Sequence, residues 1–167
     1  MGTVISMQNE LPILMVYRAK AMLLKCFNWI EGVLSPRSIG FIIKGLYLYH
    51  QATNDQESVR LIKVLSERLI THYDLTHDND WQWYENYLTY ANSVLPEAML
   101  YSYLVTGSDP FKKVSLQSLD FLMSKQIINN RFRTISNQDW CHNEQTAKKY
   151  GKQSKDLADS INTLELF

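Results

Sequence analysis

Apolar residues recur every three or four positions along most of the chain, which is the period of an amphipathic helix. Glycine and proline are few, with 6 and 4 among 167 residues, whereas an all-β chain needs many of them at its turns. We therefore predict an all-α protein. The predicted helices cover residues 12–32, 36–52, 56–72, 85–105, 111–128 and 154–167.

Short polar segments separate these helices. Ser35-Pro36 has the composition of a helix start, and Thr53-Asn54-Asp55 that of a turn. Asp78-Asn79-Asp80 interrupts the apolar pattern, and Gly107-Ser108-Asp109-Pro110 is the clearest loop. Residues 129–152 are polar and irregular.

The predicted helices form pairs, and the second pair repeats the features of the first. The predicted register of this repeat places Tyr47 on Tyr101, Tyr49 on Tyr103, Asp55 on Asp109, Ile62 on Leu116, Leu65 on Leu119 and Leu69 on Met123. Repeated helical hairpins of this length indicate a solenoid or a closed ring. We predict antiparallel hairpins that form about half of an (α/α)6 toroid, with residues 1–167 as one domain that is incomplete at its C-terminus.

The predicted last helix is apolar to its end, with Leu157, Ile161, Leu164 and Phe167. A repeat array normally ends on a polar cap. We therefore expect self-association through this C-terminal helix.

Composition excludes several classes of protein. Seventeen basic and seventeen acidic residues give a net charge of zero, which argues against a general nucleic-acid partner. No segment has the length and hydrophobicity of a membrane span, and no basic segment precedes the first apolar one. The two cysteines form no framework and suit a reducing, cytoplasmic compartment.

The richest candidate site follows Asp80. On a helix, Trp81, Glu85 and Asn92 share one stripe with Thr89 and Pro96. An indole with carboxylate, hydroxyl and amide groups suits a sugar, because the ring covers the apolar side of a pyranose while the polar groups bind its hydroxyls. The alternative is an aromatic core in which Glu85 and Asn92 bind loop backbone.

A second candidate segment covers residues 130–142 and has the pattern of an extended lobe or short hairpin. Long irregular loops in compact helical folds are often functional. The side chains that would complete a site are Arg133, Asn137, Trp140 and His142.

The same segment does not favour a cysteine nucleophile or a zinc site. Cys141-His142 has no third group to orient a nucleophile, and it lacks the spacing of a zinc site. We expect no metal and no cofactor. Glu85 is the best catalytic candidate, and a second carboxylate would have to come from Asp139, Glu144 or Asp156.

The run WQWYENYLTYANSVLPEAML at 81–100 resembles glycosyltransferase-associated helical toroid proteins, which occur beside or fused to bacterial and archaeal glycosyltransferases. These proteins are similar to the six-hairpin α/α toroids that include glycosidases and sugar epimerases. The similarity extends to Ser35-Pro36-Arg37, Thr106-Gly107, FRTISNQDW at 132–140 and the helix after Gln153. It implies a funnel lined by Trp81, Trp83, Glu85, Thr89, Tyr90, Asn92, Pro96 and Glu97.

Two features depart from that family. Its Asp-Gln-Gln-Pro run is replaced here, with Gly151 and Lys152 in place of the Asp and the first Gln, and only Gln153 kept. The family also continues for several more hairpins, including a run of Gln-Gly-Ala-Glu.

The resulting hypothesis is a carbohydrate-handling toroid protein with a glycan ligand and a glycosyltransferase partner. Its predicted binding residues are Trp81, Trp83, Glu85, Tyr90, Asn92, Arg133, Asn137, Trp140 and His142. The alternatives are a helical-repeat scaffold for protein binding and an inactive truncated product. Open ring faces on Trp81 and Trp83 favour carbohydrate, and packed ones favour the scaffold.

Overall fold

The computed structural model describes residues 18, 21, 22, 25, 26, 29–135 and 141–143. The chain divides into two compact units, Met1–Ser35 and Pro36–Phe167. In the first unit, the described positions from Arg18 to Ile30 are helical, as predicted for 12–32. The predicted helix 154–167 lies outside the described residues.

The described part of the second unit is mostly helical, which confirms the all-α class, with a few very short strands. The helices are α1 (Pro36–Thr53), α2 (Gln56–Thr76), α3 (Val94–Thr106) and α4 (Asp109–Gln126). The strands are β1 (Tyr87–Leu88), β2 (Ile127–Ile128), β3 (Arg131–Phe132) and β4 (Cys141–His142). Strands β1 and β4 pair antiparallel, and so do β2 and β3.

The two helical hairpins, α1–α2 and α3–α4, have matching connections. Asn54 and Gly107 both have a left-handed backbone, with φ of 55° and 70°. The N–H of each donates to a carbonyl four residues earlier at 2.7 Å, which closes the preceding helix. Asp55 then caps α2 by accepting from the Ser58 N–H at 2.8 Å, and Ser108 is the N-cap residue of α4.

The two connections correspond in a register that places Asn54 on Gly107, which differs by one position from the predicted register. We call this the corrected register. It places buried positions of α2 on buried positions of α4: Ser58 on Phe111, Leu61 on Val114, Ile62 on Ser115, Leu65 on Ser118 and Leu69 on Leu122. The predicted register instead paired buried Leu65 with Leu119, which is 37% exposed.

The core lies between the hairpins. Helix α1 packs against both α2 and α3, and α3 packs against α4. Gly40 allows the close approach of α1 to α3, because a Cβ atom there would come within 3.3 Å of Val94. The rings of Tyr47 on α1 and Tyr101 on α3 stack with centroids 4.2 Å apart.

The predicted helix 85–105 was wrong in its first half, because α3 begins only at Val94. Before it, Ala91 has a φ of 48°, a left-handed backbone that interrupts a helix. Residues 81–90 are rich in aromatic side chains, which favour extended backbone. Within this segment β1 pairs with β4, a contact between parts of the chain that are remote in sequence.

The predicted helix 111–128 also ended later than α4, which stops at Gln126. Strands β2 and β3 form a hairpin whose connecting residues, Asn129 and Asn130, have φ of 53° and 57°. Two consecutive positive φ values are typical of the tight turn that matches strand twist, and asparagine tolerates them. The short hairpin expected within 130–142 is thus present, but it starts at Ile127.

Candidate functional site

Arg37, near the start of α1, organises the segment that precedes α3. Its Nε donates to the Tyr90 carbonyl at 2.8 Å, and its Nη2 donates to Asn92 Oδ1 at 3.0 Å. Its Nη1 forms an ion pair with the Glu85 carboxylate. The guanidinium also lies over the Tyr90 ring, 5.4 Å from the centroid. One cation therefore fixes three residues that are predicted to bind ligand.

This cluster is largely removed from solvent, since Arg37 is buried and Glu85 is half-buried. Asn92 completes it through two further bonds, from the Thr89 N–H to its Oδ1 at 3.1 Å and from its Nδ2 to the Thr89 carbonyl at 2.9 Å. A buried charge is tolerated when it is paired and hydrogen-bonded, as it is here. The stripe expected from helical spacing is thus not a helical face, but Arg37 brings Glu85 and Asn92 together.

The structure corrects the expected role of the two indoles. Trp81 and Trp83 are buried, with their rings packed edge-on or tilted against Phe121 of α4 at centroid distances of 5.0 and 6.1 Å. Trp81 Nε1 donates to the Glu85 carbonyl at 2.7 Å. Because both rings are buried, neither has a face open to a sugar. Their packing instead anchors the segment before α3 onto the hairpin core.

An open cleft of about 660 Å³ lies between this segment and the β2–β3 hairpin. The two aromatic residues of its lining, Tyr90 and Phe132, are 66% and 69% exposed. The remaining lining residues are Thr89, Ala91, Asn92, Ser93, Gln126, Thr134 and Ile135. No described lining residue carries a charge, so the cleft combines aromatic surface with neutral hydrogen-bonding groups.

Sequence reasoning missed two residues of the site, Arg37 of the buried cluster and Phe132 of the cleft. Arg37 was noticed only as part of a helix start, and its partners lie 48 to 55 positions away, so no local pattern indicates its role. Phe132 lay within the second candidate segment but was not chosen as a ligand contact. Its exposure on a tight hairpin could have been suggested by the Asn-Asn turn before it.

The predicted residues of the second segment are dispersed. Arg133 is exposed, and its N–H donates to the Gln126 carbonyl at 2.7 Å, which closes the β2–β3 hairpin. His142 lies on β4, with its ring 6.2 Å from that of Tyr87. Neither is among the residues that line the cleft. Asn137 and Trp140 lie outside the described residues.

Pro96 and Glu97, which the resemblance places in a funnel, lie on α3. Pro96 is buried, and its carbonyl accepts from Ser115 Oγ at 2.7 Å. Glu97 bridges the hairpins, because both its oxygens accept from Lys44 Nζ, at 2.8 and 3.1 Å. It also accepts from the Tyr101 hydroxyl at 3.0 Å, and this hydrogen bond raises the pKa of Tyr101.

The Glu85 carboxylate is occupied by its ion pair with Arg37. Asp139, Glu144 and Asp156, the partners considered for a hydrolytic pair, lie outside the described residues. Among the described residues, no group of histidine, cysteine or acidic side chains has an arrangement that would hold a metal ion. Within the same residues, no helix has the length and hydrophobicity needed to span a bilayer.

A second cavity of about 650 Å³ lies where α2 ends and α4 begins. Its lining includes Tyr73, whose ring stacks on His77 at 4.6 Å and whose burial raises its pKa to about 12. The acidic residues Asp74, Asp78 and Asp109 also line it.

Comparisons of the chain with protein-family models, with curated proteins and with solved structures give no match.

Proposed function

We propose that this chain is the carbohydrate-binding part of an α/α-toroid protein that acts with a glycosyltransferase. The observation that carries the proposal is the uncharged cleft with two exposed aromatic residues, Tyr90 and Phe132. Aromatic faces cover the apolar side of a sugar ring, and neutral amide and hydroxyl groups bind its hydroxyls. The sugar contact is therefore assigned to Tyr90 and Phe132 instead of Trp81 and Trp83.

The lack of charged side chains in the described lining of the cleft restricts the class of sugar that it would bind. Its described lining offers the amide of Gln126 and the hydroxyls of Ser93 and Thr134, and no carboxylate or cation. An acidic sugar would be desolvated there without a charged partner, which is unfavourable. We therefore assign the cleft to neutral sugar units.

The Arg37 cluster supports binding more than cleavage. Glu85 is held in an ion pair with Arg37, and it does not line the cleft. A general acid must reach the oxygen that it protonates. The cluster instead fixes the backbone of Tyr90 and the amide of Asn92, which preorganises the contact surface.

The test is titration of the full chain with neutral oligosaccharides, followed by calorimetry. We expect saturable binding that Tyr90→Ala and Phe132→Ala each weaken by about tenfold, since removing one aromatic contact costs roughly 1–1.5 kcal/mol. Leu75→Ala is the control, because Leu75 is also an exposed apolar residue but lies outside the cleft. Equal weakening by all three variants, or no binding by the unaltered chain, would contradict the proposal.

The second candidate is a helical-repeat scaffold that binds protein. The burial of Trp81 and Trp83 favours it, because packed indoles are what a structural role requires. A scaffold would bind no oligosaccharide in the titration above. It would instead retain a protein partner after Tyr90→Ala and Phe132→Ala.

A further inference from the structure

Within the part of the second unit that the structure describes, the two hairpins leave two surfaces of mostly apolar residues uncovered. The first surface lies on α1 and consists of Phe41, Gly45 and Leu48; we call it the α1 face. The second lies on the α3–α4 hairpin and consists of Ser93, Leu100, Leu104, Leu119 and Met123; we call it the α3–α4 face. All of these residues are exposed, including Leu48 at 58% and Leu100 at 39%.

The existing contact between the hairpins defines how such surfaces pair. Three contacts join α1 to α3: Tyr47 stacks on Tyr101, Lys44 pairs with Glu97, and Gly40 approaches Val94. The second hairpin repeats the first in the corrected register, so both residues of each contact have equivalents one repeat further along. These equivalents lie on α3 and on the first helix of a hairpin that would follow the α3–α4 hairpin.

The equivalent pairs are complementary when the following hairpin is the first hairpin of a second copy. Tyr47–Tyr101 becomes Leu100 against Leu48 of the copy, and Gly40–Val94 becomes Ser93 against Phe41 of the copy. Lys44–Glu97 becomes Glu97 against Lys44 of the copy. Apolar residues thus meet apolar residues, a small one meets a large one, and opposite charges meet.

The second helices agree with this pairing. Ser66 of α2 is buried where α2 meets α3, with its Oγ 2.6 Å from Ser102 Oγ. Its equivalent on α4 is Leu119, which is apolar and 37% exposed. Helix α4 therefore carries an exposed apolar residue at a position that the neighbouring hairpin covers in α2.

We propose that the α3–α4 face binds the α1 face of a second copy of this chain, so that hairpins stack head to tail across molecules as they do within one. The two faces differ, so the contact is heterologous, and each bound copy offers a free face for the next. Glu97 lies between Lys44 of its own molecule and Lys44 of the copy, which gives alternating charges along the stack. The zero net charge offers little repulsion against assembly. This inference needs no sugar in the cleft.

The test is light scattering of the full chain over a concentration series, with one variant for each face. Leu48→Glu places a charge on the α1 face, and Leu100→Glu places one on the α3–α4 face. We expect the unaltered chain to exceed its monomer mass of 19.5 kDa as concentration rises, and each variant alone to stay at that mass. An equimolar mixture of the two variants should form a dimer and stop, because each supplies the intact face that the other lacks.

The matched control is Leu75→Glu, which charges an exposed leucine on the side of α2 away from Ser66 and should leave assembly unchanged. Circular dichroism should show equal helix content in all variants, since the substituted residues are exposed. A monomeric unaltered chain at every concentration would overturn the proposal and indicate that another part of the chain or a different protein covers the α3–α4 face. Dimerisation of Leu48→Glu alone would also overturn it, because a contact that survives a charge at this position does not use the α1 face.

Discussion

At the scale of single residues, Arg37 joins α1 to a carboxylate, an amide and a backbone carbonyl of the segment before α3. A planar guanidinium with several donors in a fixed arrangement can satisfy such a set, whereas lysine cannot. All three partners lie within residues 85–92, the segment that leads into α3. Arg37 therefore contributes to both the stability and the shape of the segment that carries Tyr90.

We predict that Arg37→Met lowers the free energy of unfolding by about 2–4 kcal/mol, because it leaves the half-buried Glu85 carboxylate and two other acceptors without this donor. Urea denaturation measures the change. Adding Glu85→Gln to Arg37→Met should recover part of the loss, since the unpaired charge is then removed. No recovery would mean that Glu85 is already well solvated.

The control for this prediction is Arg60→Met. Arg60 pairs with Glu57 three residues earlier on α2, where both side chains are about half exposed. Surface pairs of this type contribute little. Its free energy of unfolding should therefore match that of the unaltered chain within the error of the measurement.

Two threonines offer a second contrast. Thr89 Oγ1 is buried and has no hydrogen-bond partner among the described residues, whereas Thr76 Oγ1 lies 2.6 Å from the Trp83 carbonyl. Thr89→Val should raise the free energy of unfolding by about 1 kcal/mol, because it removes an unsatisfied hydroxyl at constant shape. Thr76→Val should lower it by about 1 kcal/mol. Thermal melts of the two variants should shift in opposite directions.

At the scale of helices and strands, the sequence predicts what is local and periodic. Helix α1 was predicted to within one residue and the start of α2 was correct, because both have clear boundaries and sustained apolar periodicity. The segment 85–93 was not, because aromatic residues at helical spacing also suit a packed extended chain. Its pairing with β4 is a distant contact that no local pattern encodes.

The corrected register gives a prediction for the helices. Leu65 of α2 is fully buried, but its equivalent on α4 is Ser118, and Leu119 is partly exposed. Leu65→Ala should therefore cost about 2–5 kcal/mol in free energy of unfolding, and Leu119→Ala less than about 1 kcal/mol. Chemical denaturation of both variants distinguishes the two registers, since pairing Leu65 with Leu119 would require similar losses.

At the scale of the whole molecule, the candidate site was predicted in composition but not in geometry. Tyr90 and Asn92 do line the cleft, whereas Trp81 and Trp83 belong to the core. The sequence shows that aromatic and polar residues are concentrated there. Which aromatic faces solvent depends on Phe121 of α4 and on Arg37, which are remote in sequence.

Alkaline pH should destabilise the fold. Burial raises the pKa of Tyr73 to about 12 and also raises that of Tyr84, because the folded chain favours their neutral forms. Their contribution to stability is complete below the unfolded value of 10 and is lost as the pH rises from 10 through the folded values. The urea concentration at the midpoint of unfolding should decrease as the pH rises from about 9 to about 12. Tyr84→Phe should make that fall less steep, and an equal slope would show that Tyr84 does not titrate.

The long reach of Arg37 has a consequence for the order of folding. Each helical hairpin forms from neighbouring residues, whereas the bonds of Arg37 join positions 48 to 55 apart and must wait until both hairpins have met. Contacts made after the transition state affect the rate of unfolding more than the rate of folding. Loss of Arg37 should thus shorten the lifetime of the native state while refolding proceeds at its usual speed, because the segment before α3 forms after the two helical hairpins and opens before them.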